Sequence, residues 1–418
     1  MQTTFEQLYK RLSKAAVQNR LAQELQSIGQ TDFDAHQLDC LFHPEQHPPV
    51  WRIGPCDCGR DSACACQDVC LFDALKQDEN GNMVVDKDLC VGCHACVEHC
   101  KGRKLVDSKD ILPTMKDIHD GTRPVYALVA PAFINQYSEA VTPGKLRTAL
   151  KKLGFAGMVE VALFADILTL KEALEFERTI HNDRDFMLTS CCCPVWIAMI
   201  RKIYHTLVPH VPGAVSPMVA CGRAVKQLVP QAATVFIGPC IAKKSEAREP
   251  DIADAIDHVL TFVEIQDMFA YAQIDPAACE DDARDHSSRA GRIYARTGGV
   301  SEAVESTVRR LHPARGVLVQ SVQANGVPAC RELLKRVQDG TVKANFIEGM
   351  GCVGGCVGGP KALIDRQSAR EHVNRYGEQA AYPTPIENPY VIELLNRLGF
   401  ETIDSLVEHS DIFTRTFE

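Results

Sequence analysis

Cysteine is the residue type that sets this chain apart. There are 19 cysteines among 418 residues, and most of them lie in three stretches. Nine lie between Cys56 and Cys100, three form the run Cys191–Cys193, and one pair is Cys352 and Cys356. Disulfide frameworks belong to small secreted domains, whereas clustered thiols in a larger reduced protein usually bind metal. The pattern therefore predicts metal centres with thiolate ligands.

The first stretch contains the sequence CVGCHACVEHC, in which the cysteines are spaced C-x2-C-x2-C-x3-C. This spacing is typical of a [4Fe–4S] cluster that takes three thiolates from one loop, while the fourth cysteine reaches a second cluster. Cys66 and Cys70 repeat the last step of the pattern. We therefore predict one cluster held by Cys70, Cys90, Cys93 and Cys96, and a second held by Cys66, Cys100 and two of Cys56, Cys58 and Cys64. His94 and His99, inside the same run, are interpreted as exposed residues that do not bind iron.

Hydrophobic periodicity predicts the elements that position the other cysteines. Residues 1–50 are an N-terminal helical extension that begins with one amphipathic helix pattern ending at Gly29, residues 51–110 contain the first cysteine stretch, and residues 111–418 alternate strands with helices. The strand candidates are VYALVA, MVEVALF, FMLTS, TVFIG, GVLVQSV and NFIEG. Alternation of this kind predicts an α/β domain with mostly parallel sheets.

Three of the strand candidates lead directly into cysteines, in the stretches FMLTSCCC, TVFIGPC and NFIEGMGC. Ligands of open α/β sheets gather beyond the carboxyl ends of the strands. We therefore expect three cysteine-bearing loops to converge on one site.

Charge and hydropathy exclude two classes of partner. The formal net charge of -9 disfavours nucleic acids and anionic membrane surfaces. No apolar run is long enough to span a bilayer, and the polar N-terminus lacks the apolar region of a signal peptide. The sequence therefore predicts a cytoplasmic protein with neither nucleic acid nor membrane as a partner.

Three motifs follow one another in the α/β part: TSCCCPVW from Thr189, GPCIAKKSE from Gly238 and EGMGCVGGCVGGP from Glu348. Taken singly, the middle motif also fits a buried cysteine beside a solvated lysine pair, and the last fits a glycine-rich turn. In this order, behind cysteines spaced as in a two-cluster ferredoxin, they resemble the active-site signatures of the [FeFe]-hydrogenases. The triple cysteine resembles a group B-like subgroup of that family.

The resemblance implies an α/β H-cluster domain, preceded by a small α+β ferredoxin-like domain with two further [4Fe–4S] clusters. The H-cluster is a cubane joined to a diiron unit that carries CO, cyanide and an azadithiolate. The implied cubane ligands are Cys193, Cys240, Cys352 and Cys356, of which Cys356 also bridges to the diiron unit. Soft thiolates are the ligands that iron–sulfur clusters select.

Other residues are assigned to the diiron unit by the same resemblance. Lys243 would contact a cyanide ligand, and Glu246 would support that lysine. The pocket walls would be Ala130, Pro131, Pro217, Met218, Gly238 and Met350, although Pro217 and Met350 also fit plain core positions. Gly238 stands where the family often has methionine, which predicts extra room beside the distal iron.

Proton transfer requires groups that titrate near neutrality, and a thiol beside the diiron unit is such a group. The resemblance assigns this role to Cys192 and assigns relay roles to Glu172 and Glu175, which lie one turn apart on a helix. The two glutamates also fit a solvated acidic face.

The triple cysteine allows two alignments of the first motif. Anchoring on Pro194 makes Cys193 the ligand and Cys192 the proton carrier, and we prefer it because Trp196 then keeps its distance from the ligand. Anchoring on Thr189 shifts both roles back by one residue, to Cys191 and Cys192. The role of Cys191 stays open in either case.

The resemblance implies an enzyme that interconverts H2 with protons and electrons. Electrons would pass through the two ferredoxin-type clusters to a soluble ferredoxin or similar carrier, and maturation proteins would deliver the diiron unit. Two alternatives remain: an H2-sensing hydrogenase of low turnover, and a hydrogenase-like iron–sulfur assembly protein without the diiron unit. Cys192 and Lys243 favour the hydrogenase, because relatives that lose the diiron unit have no use for either.

Overall fold

The computed structural model describes residues 4–27, 33–56, 58, 65–189, 192–408 and 410–417, so Cys64 and Cys191 lie outside the described residues. The N-terminal part forms three helices, α1 (Phe5–Val17), α2 (Leu21–Ser27) and α3 (Ala35–Phe42). The single helix expected here is wrong, because Asn19 adopts a left-handed φ of 54° and separates α1 from α2. Asparagine tolerates this conformation better than most residues.

The cysteine-rich region that follows is a small α+β unit. Its elements are β1 (Val50–Arg52), α4 (Ala65–Asp68), β2 (Leu75–Gln77), β3 (Met83–Val85), α5 (Ala95–His99) and β4 (Leu105–Asp107). β1 pairs with β4 and β2 pairs with β3, both antiparallel. Because its first and last strands pair, the region closes on itself and gathers its cysteines between the two ladders.

Two parallel sheets occupy the rest of the chain. Their strands are β5 (Val125–Val129), β6 (Gly157–Glu160), β7 (Met187–Leu188), β8 (Ala233–Gly238), β9 (His258–Thr261), β10 (Ser321–Asn325) and β11 (Phe346–Met350). One sheet has the order β6-β5-β8-β9 and the other has the order β10-β11-β7. Every pairing in both sheets is parallel. The predicted α/β architecture with parallel sheets is therefore confirmed.

Helices connect and cover these strands. They are α6 (Ile111–Asp120), α7 (Pro143–Lys152), α8 (Ala162–Thr179), α9 (Pro194–Lys202), α10 (Pro217–Leu228), α11 (Ala242–Glu246), α12 (Phe262–Ala272), α13 (Arg289–Arg292), α14 (Gly299–Leu311), α15 (Val327–Gln338), α16 (Arg366–Glu378) and α17 (Pro389–Arg397). Three strand candidates are much longer than the strands themselves. β7 covers only Met187–Leu188 of FMLTS. β6 ends at Glu160 and the rest of MVEVALF turns into α8, while only the end of GVLVQSV belongs to β10.

The larger sheet is buried on both faces. Leu128 and Phe236 pack into one hydrophobic core, whereas Ala127, Val129 and Val235 on the same two strands pack into another. Side chains alternate between the faces of a strand, so near-continuous apolar strands are what a sheet covered on both sides requires. The sheet thereby fixes where β8 ends and where its cysteine loop begins.

Candidate metal centre

The three motif loops converge on one cavity. Residues that follow β7, β8 and β11 in the chain line this cavity together. They include the four expected ligands, Cys193, Cys240, Cys352 and Cys356. No disulfide joins any of the described cysteines. Four thiols around one apolar cavity match the donor set of an iron–sulfur cubane.

Local structure places each thiol. Cys193 is the residue just before α9, and its Sγ accepts a hydrogen bond from the Gly351 backbone N–H at 3.2 Å. Cys352 follows β11, and Cys356 begins a 3-10 turn. Between them Gly355 has a φ of +90°, and a Cβ there would lie 2.7 Å from the Thr297 nitrogen. Glycine is required because the turn is left-handed and packs directly against neighbouring backbone.

Burial and mutual repulsion disfavour four thiolates without a positive cluster. Burial raises the pKa of the Cys240 thiol to about 11 and that of Cys356 to about 12, and the charge of Cys193 adds to both shifts. The ammonium of Lys243 acts in the opposite direction on both thiols. A cationic metal cluster would relieve this repulsion, since thiolates rather than thiols are the ligands.

Lys243 lies in the cavity wall and is almost fully buried. Its Nζ is 2.5 Å from a carboxylate oxygen of Glu246, which is also buried. Burial opposes the charge on Lys243, but Glu246 and the nearby thiols outweigh it, so the pKa of the lysine is raised. Apart from this ion pair, the ammonium makes no hydrogen bond to the described residues. A buried ammonium facing the thiols fits a group with anionic ligands.

The alternative interpretation of the middle motif, a solvated lysine pair, is wrong for both lysines. Lys244 is also buried, but it points away from the cavity and bonds to Asp110 and to the Val259 carbonyl, each at 2.6 Å. Successive side chains of a helix point about 100° apart. The two lysines of α11 therefore have different surroundings, one in the cavity wall and one in the core.

Most of the expected wall residues line the cavity: Ala130, Pro131, Pro217, Met218 and Met350. Met350 also belongs to the hydrophobic core, so both of its sequence interpretations hold. Cys192 is half-buried in the same wall, with its Sγ 3.9 Å from the Met350 Sδ. Sequence reasoning missed Phe236 and Tyr294, which line the cavity from β8 and from a 3-10 turn. Neither residue belongs to a cysteine motif.

The room expected at Gly238 is not there. A Cβ at Gly238 would lie 2.8 Å from Cε1 of Phe236 and 3.2 Å from the Ala130 Cβ. The Phe236 ring, two residues earlier on the same face of β8, covers this position and itself lines the cavity. Gly238 is therefore needed to accommodate the ring and does not widen the pocket.

Gly238→Ala is expected to lower the free energy of unfolding by about 1–3 kcal/mol, because the new methyl forces the Phe236 ring off its packed position. Thermal unfolding of the two proteins measures the difference. Gly316→Ala is the matched control, since a Cβ at Gly316 meets no atom within 4 Å. Unchanged stability in Gly238→Ala would mean that the ring moves aside without cost.

Glu172 and Glu175 both lie on α8, which also contributes Ala165 to the cavity wall. Glu172 is two turns beyond Ala165, or about 10 Å along the helix axis. It is fully buried, so the interpretation of a solvated acidic face is wrong for this residue. Glu175 is partly buried and forms an ion pair with Lys171 at 3.4 Å. α8 thus connects the cavity wall, at Ala165, with the Lys171–Glu175 ion pair.

Four thiols of the cysteine-rich region form a first cysteine group. Burial raises the pKa of the Cys96 thiol, and the charges of Cys93, Cys90 and Cys70 raise it further. Cys70, Cys90, Cys93 and Cys96 also line one small cavity. The other described cysteines pack, together with Cys70, Cys90 and Cys96, in the hydrophobic cluster around Leu75 and Met83; they are Cys56, Cys58, Cys66 and Cys100. The first group has the membership that the spacing predicts.

His94 is buried, contrary to expectation, and its ring lies 3.6 Å from Asp107. The closing strand β4 carries Asp107 and covers this ring. His99 is exposed, as expected.

The first cysteine group lies against the main cavity, the one lined by Cys193, Cys240, Cys352 and Cys356. Cys93 packs in the same hydrophobic cluster as Cys193 and Cys240. The charge of Cys93 contributes to the raised pKa of Cys352, after burial and the other three cavity thiols. A Cβ at Gly92 would lie 3.0 Å from the Ile241 carbonyl oxygen, so the two cysteine loops touch through their backbones.

Comparison with known proteins identifies the family. The model of the iron-only hydrogenase large subunit, C-terminal domain, matches residues 123–360, which is more than half of the chain. The chain belongs to the iron-only hydrogenase family. All four thiols of the main cavity lie within the matched residues.

Three relatives show the range of this family. Iron hydrogenase 1 of Clostridium pasteurianum is 30% identical over 52% of this chain and 45% of its own length. The periplasmic [Fe] hydrogenase large subunit of Nitratidesulfovibrio vulgaris is 30% identical over 66% of this chain and 85% of its own length. Cytosolic iron-sulfur assembly component 3 of Pongo abelii is 24% identical over 73% of this chain and 78% of its own. The chain thus spans about half the length of the first relative and most of the other two.

The fold is that of solved iron-only hydrogenases. The [FeFe]-hydrogenase HydA1 from Chlamydomonas reinhardtii superposes with a TM-score of 0.58 at 21% identity, over 73% of this chain and 98% of that chain. Among the described helices of this family member, none has the length and apolar character needed to cross a bilayer.

Proposed function

We propose that the chain is an [FeFe]-hydrogenase that catalyses reversible H2 oxidation and proton reduction. One observation carries the proposal. Besides the four expected ligands, the described residues that line the cavity contribute three titratable side chains: Cys192, Lys243 and Tyr294. A cubane alone requires neither a further thiol nor a buried ammonium, whereas a diiron unit with cyanide ligands and a proton exit uses both.

The residues fit an H-cluster. Cys193, Cys240, Cys352 and Cys356 would hold the cubane, and Cys356 would bridge to the diiron unit. Lys243 would donate to a cyanide ligand, with Glu246 keeping the lysine charged. Ala130, Pro131, Pro217, Met218 and Met350 would exclude water from the diiron unit. When bound, the diiron unit supplies the metal chemistry that splits H2 heterolytically.

The chain's own residues then move the proton. Cys192 is the group on the cavity wall with an ordinary pKa nearest neutrality, because tyrosine titrates near 10 and Lys243 is held charged. It would pass the proton towards Glu172 on α8, and Glu175 would carry it on to the surface.

Electrons would leave through two [4Fe–4S] clusters in a ferredoxin-like domain, residues 51–110. Cys70, Cys90, Cys93 and Cys96 would hold the inner cluster, beside Cys352 of the H-cluster domain, residues 111–418. Cys66, Cys100 and two of Cys56, Cys58 and Cys64 would hold the outer cluster. A soluble ferredoxin or similar carrier would accept the electrons, and maturation proteins would supply the diiron unit.

Cys70→Ser is expected to remove one cluster and lower the iron content by about four atoms per chain. Cys279→Ser is the matched control. It should keep its iron, because this buried thiol donates to the Asp275 carbonyl at 3.5 Å and lies outside the cysteine-rich region. Iron analysis and electron paramagnetic resonance of the reduced proteins measure both variants. Full iron content in Cys70→Ser would contradict the assignment of Cys70 as a ligand.

An assembly role without the diiron unit is the second candidate, favoured by the similarity to cytosolic iron-sulfur assembly component 3. The infrared spectrum of protein matured with the diiron unit distinguishes the two functions. The hydrogenase is expected to show CO and cyanide stretches together with H2 turnover. A spectrum without these bands, from protein that carries its cubanes, would establish the assembly role instead.

A further inference from the structure

A second donor cluster lies far from the cysteine motifs, at the N-terminal helices. His36 and Cys40 are one turn apart on α3, and His47 follows the 3-10 turn at residues 44–46. One ligand atom from each of these side chains lies within 4.8 Å of the other two. None of the three residues has a place in the proposed hydrogenase function.

The spacing of these atoms suits a tetrahedral metal ion. Zinc lies about 2.3 Å from sulfur and about 2.0–2.1 Å from an imidazole nitrogen, so its sulfur and nitrogen ligands are about 3.6 Å apart. The Cys40 Sγ lies 3.7 Å from Nε2 of His36. This is close to the tetrahedral separation, and a small rotation of the exposed His36 ring would complete it.

The surroundings also suit a metal. Nε2 of His47 lies 2.8 Å from a carboxylate oxygen of Asp39, which leaves Nδ1 as the nitrogen for coordination. A carboxylate behind a histidine is the usual outer contact of a zinc ligand, because it fixes the ring and raises its basicity. Cys40 is fully buried, whereas His36 is exposed, so an ion can enter from the solvent side.

Ring packing is the competing explanation for the histidines. His36 makes edge contacts with the rings of His47 and Trp51, with centroids 5.3 and 6.0 Å away. Such packing accounts for the rings, but it does not require a thiol. Two imidazoles and one thiol with their ligand atoms within 4.8 Å of one another favour coordination, since a mixed nitrogen and sulfur donor set selects zinc among the common ions.

We propose that His36, Cys40 and His47 bind one Zn²⁺ ion, with water in the fourth position. The ion would fasten α3 to the segment that leads into β1. Two further bonds hold this region: Gln37 of α3 donates to the carbonyl of Ile53, just after β1, and Arg248 donates to the His47 carbonyl, each at 2.8 Å. The zinc would thus link α3 to the start of the cysteine-rich region, a structural role.

Zinc analysis and zinc K-edge X-ray absorption of the full iron-loaded chain test the proposal, because the edge is specific to zinc and iron does not interfere. The wild type, incubated with Zn²⁺ alone and desalted, is expected to keep about one zinc with one sulfur and three nitrogen or oxygen neighbours. His36→Ala and His47→Ala should each lower the zinc affinity at least tenfold, and Asp39→Asn should lower it about 10–100-fold. Iron content is measured alongside.

His43→Ala is the matched control, since His43 lies between the ligands in sequence but is exposed and contacts Glu45 at 3.8 Å. It should bind zinc as the wild type does. Three results would overturn the proposal: no retained zinc in the wild type, an all-sulfur shell that places zinc on the cluster cysteines, or full zinc affinity in both histidine variants. The wild-type spectrum decides even where a variant fails to fold.

Discussion

Cys192→Ala is expected to lower H2 turnover by a factor of about 10²–10⁴, the usual contribution of a positioned proton-transfer group. The physical reason is the composition of the cavity wall. Among the described wall residues outside the four expected ligands, Cys192 is the side chain with an ordinary pKa nearest neutrality. Without its thiol, protons must cross an apolar wall formed by residues such as Met350 and Pro217. The diiron unit should remain bound, because Cys192 is not among its expected ligands.

The measurement combines H2 turnover with the infrared spectrum, which shows whether the cofactor is still present. Cys330→Ala is the matched control: this buried thiol donates to the Met350 carbonyl at 3.3 Å but does not line the cavity. It should keep its activity within about twofold, as expected for a change with no chemical role. Cys192→Asp restores a titratable group and should recover part of the turnover. Wild-type activity in Cys192→Ala would refute the assignment and direct attention to Cys191.

The convergence of the cysteine loops was predictable because it follows from local rules. Each loop comes directly after a strand, and the carboxyl ends of parallel strands collect their loops at one edge. The membership of the inner cysteine group followed from spacing alone, because a C-x2-C-x2-C loop has few ways to present its thiols. These features depend on short segments of chain, which the sequence specifies directly.

Features that depend on packing between distant segments were not predictable. The Phe236 ring fills the space at Gly238, and nothing in the motif shows which way a ring two residues earlier leans. Tyr294 reaches the cavity from a turn almost fifty residues beyond the end of the middle motif. His94 is buried only because β4 returns to cover it. Polarity suggested an exposed ring, and tertiary structure overrode that tendency.

The different surroundings of the adjacent lysines of α11 were likewise not predictable from the sequence. Lys243→Met is expected to weaken retention of the diiron unit by about 30–150-fold, since a charge-assisted bond to a buried partner contributes about 2–3 kcal/mol. The buried ammonium has no other acceptor among the described residues, so its contact with the diiron unit would be its main polar interaction besides the Glu246 ion pair. The cubane should stay, because all four expected thiols are untouched.

Lys244→Met separates this effect from general destabilisation. Lys244 pairs with Asp110 at 2.6 Å and Glu264 at 3.4 Å, and breaking a buried pair costs about 3–5 kcal/mol of unfolding free energy. That variant should therefore unfold at a lower temperature and yet keep its CO and cyanide bands, because Lys244 does not line the cavity. Lys243→Met should lose the bands while its cubane iron remains. If both variants lost the bands in proportion to their stability, the lysine would have no specific contact with the diiron unit. If Lys243→Met kept full bands, the lysine would have a merely structural role and would not contact the diiron unit.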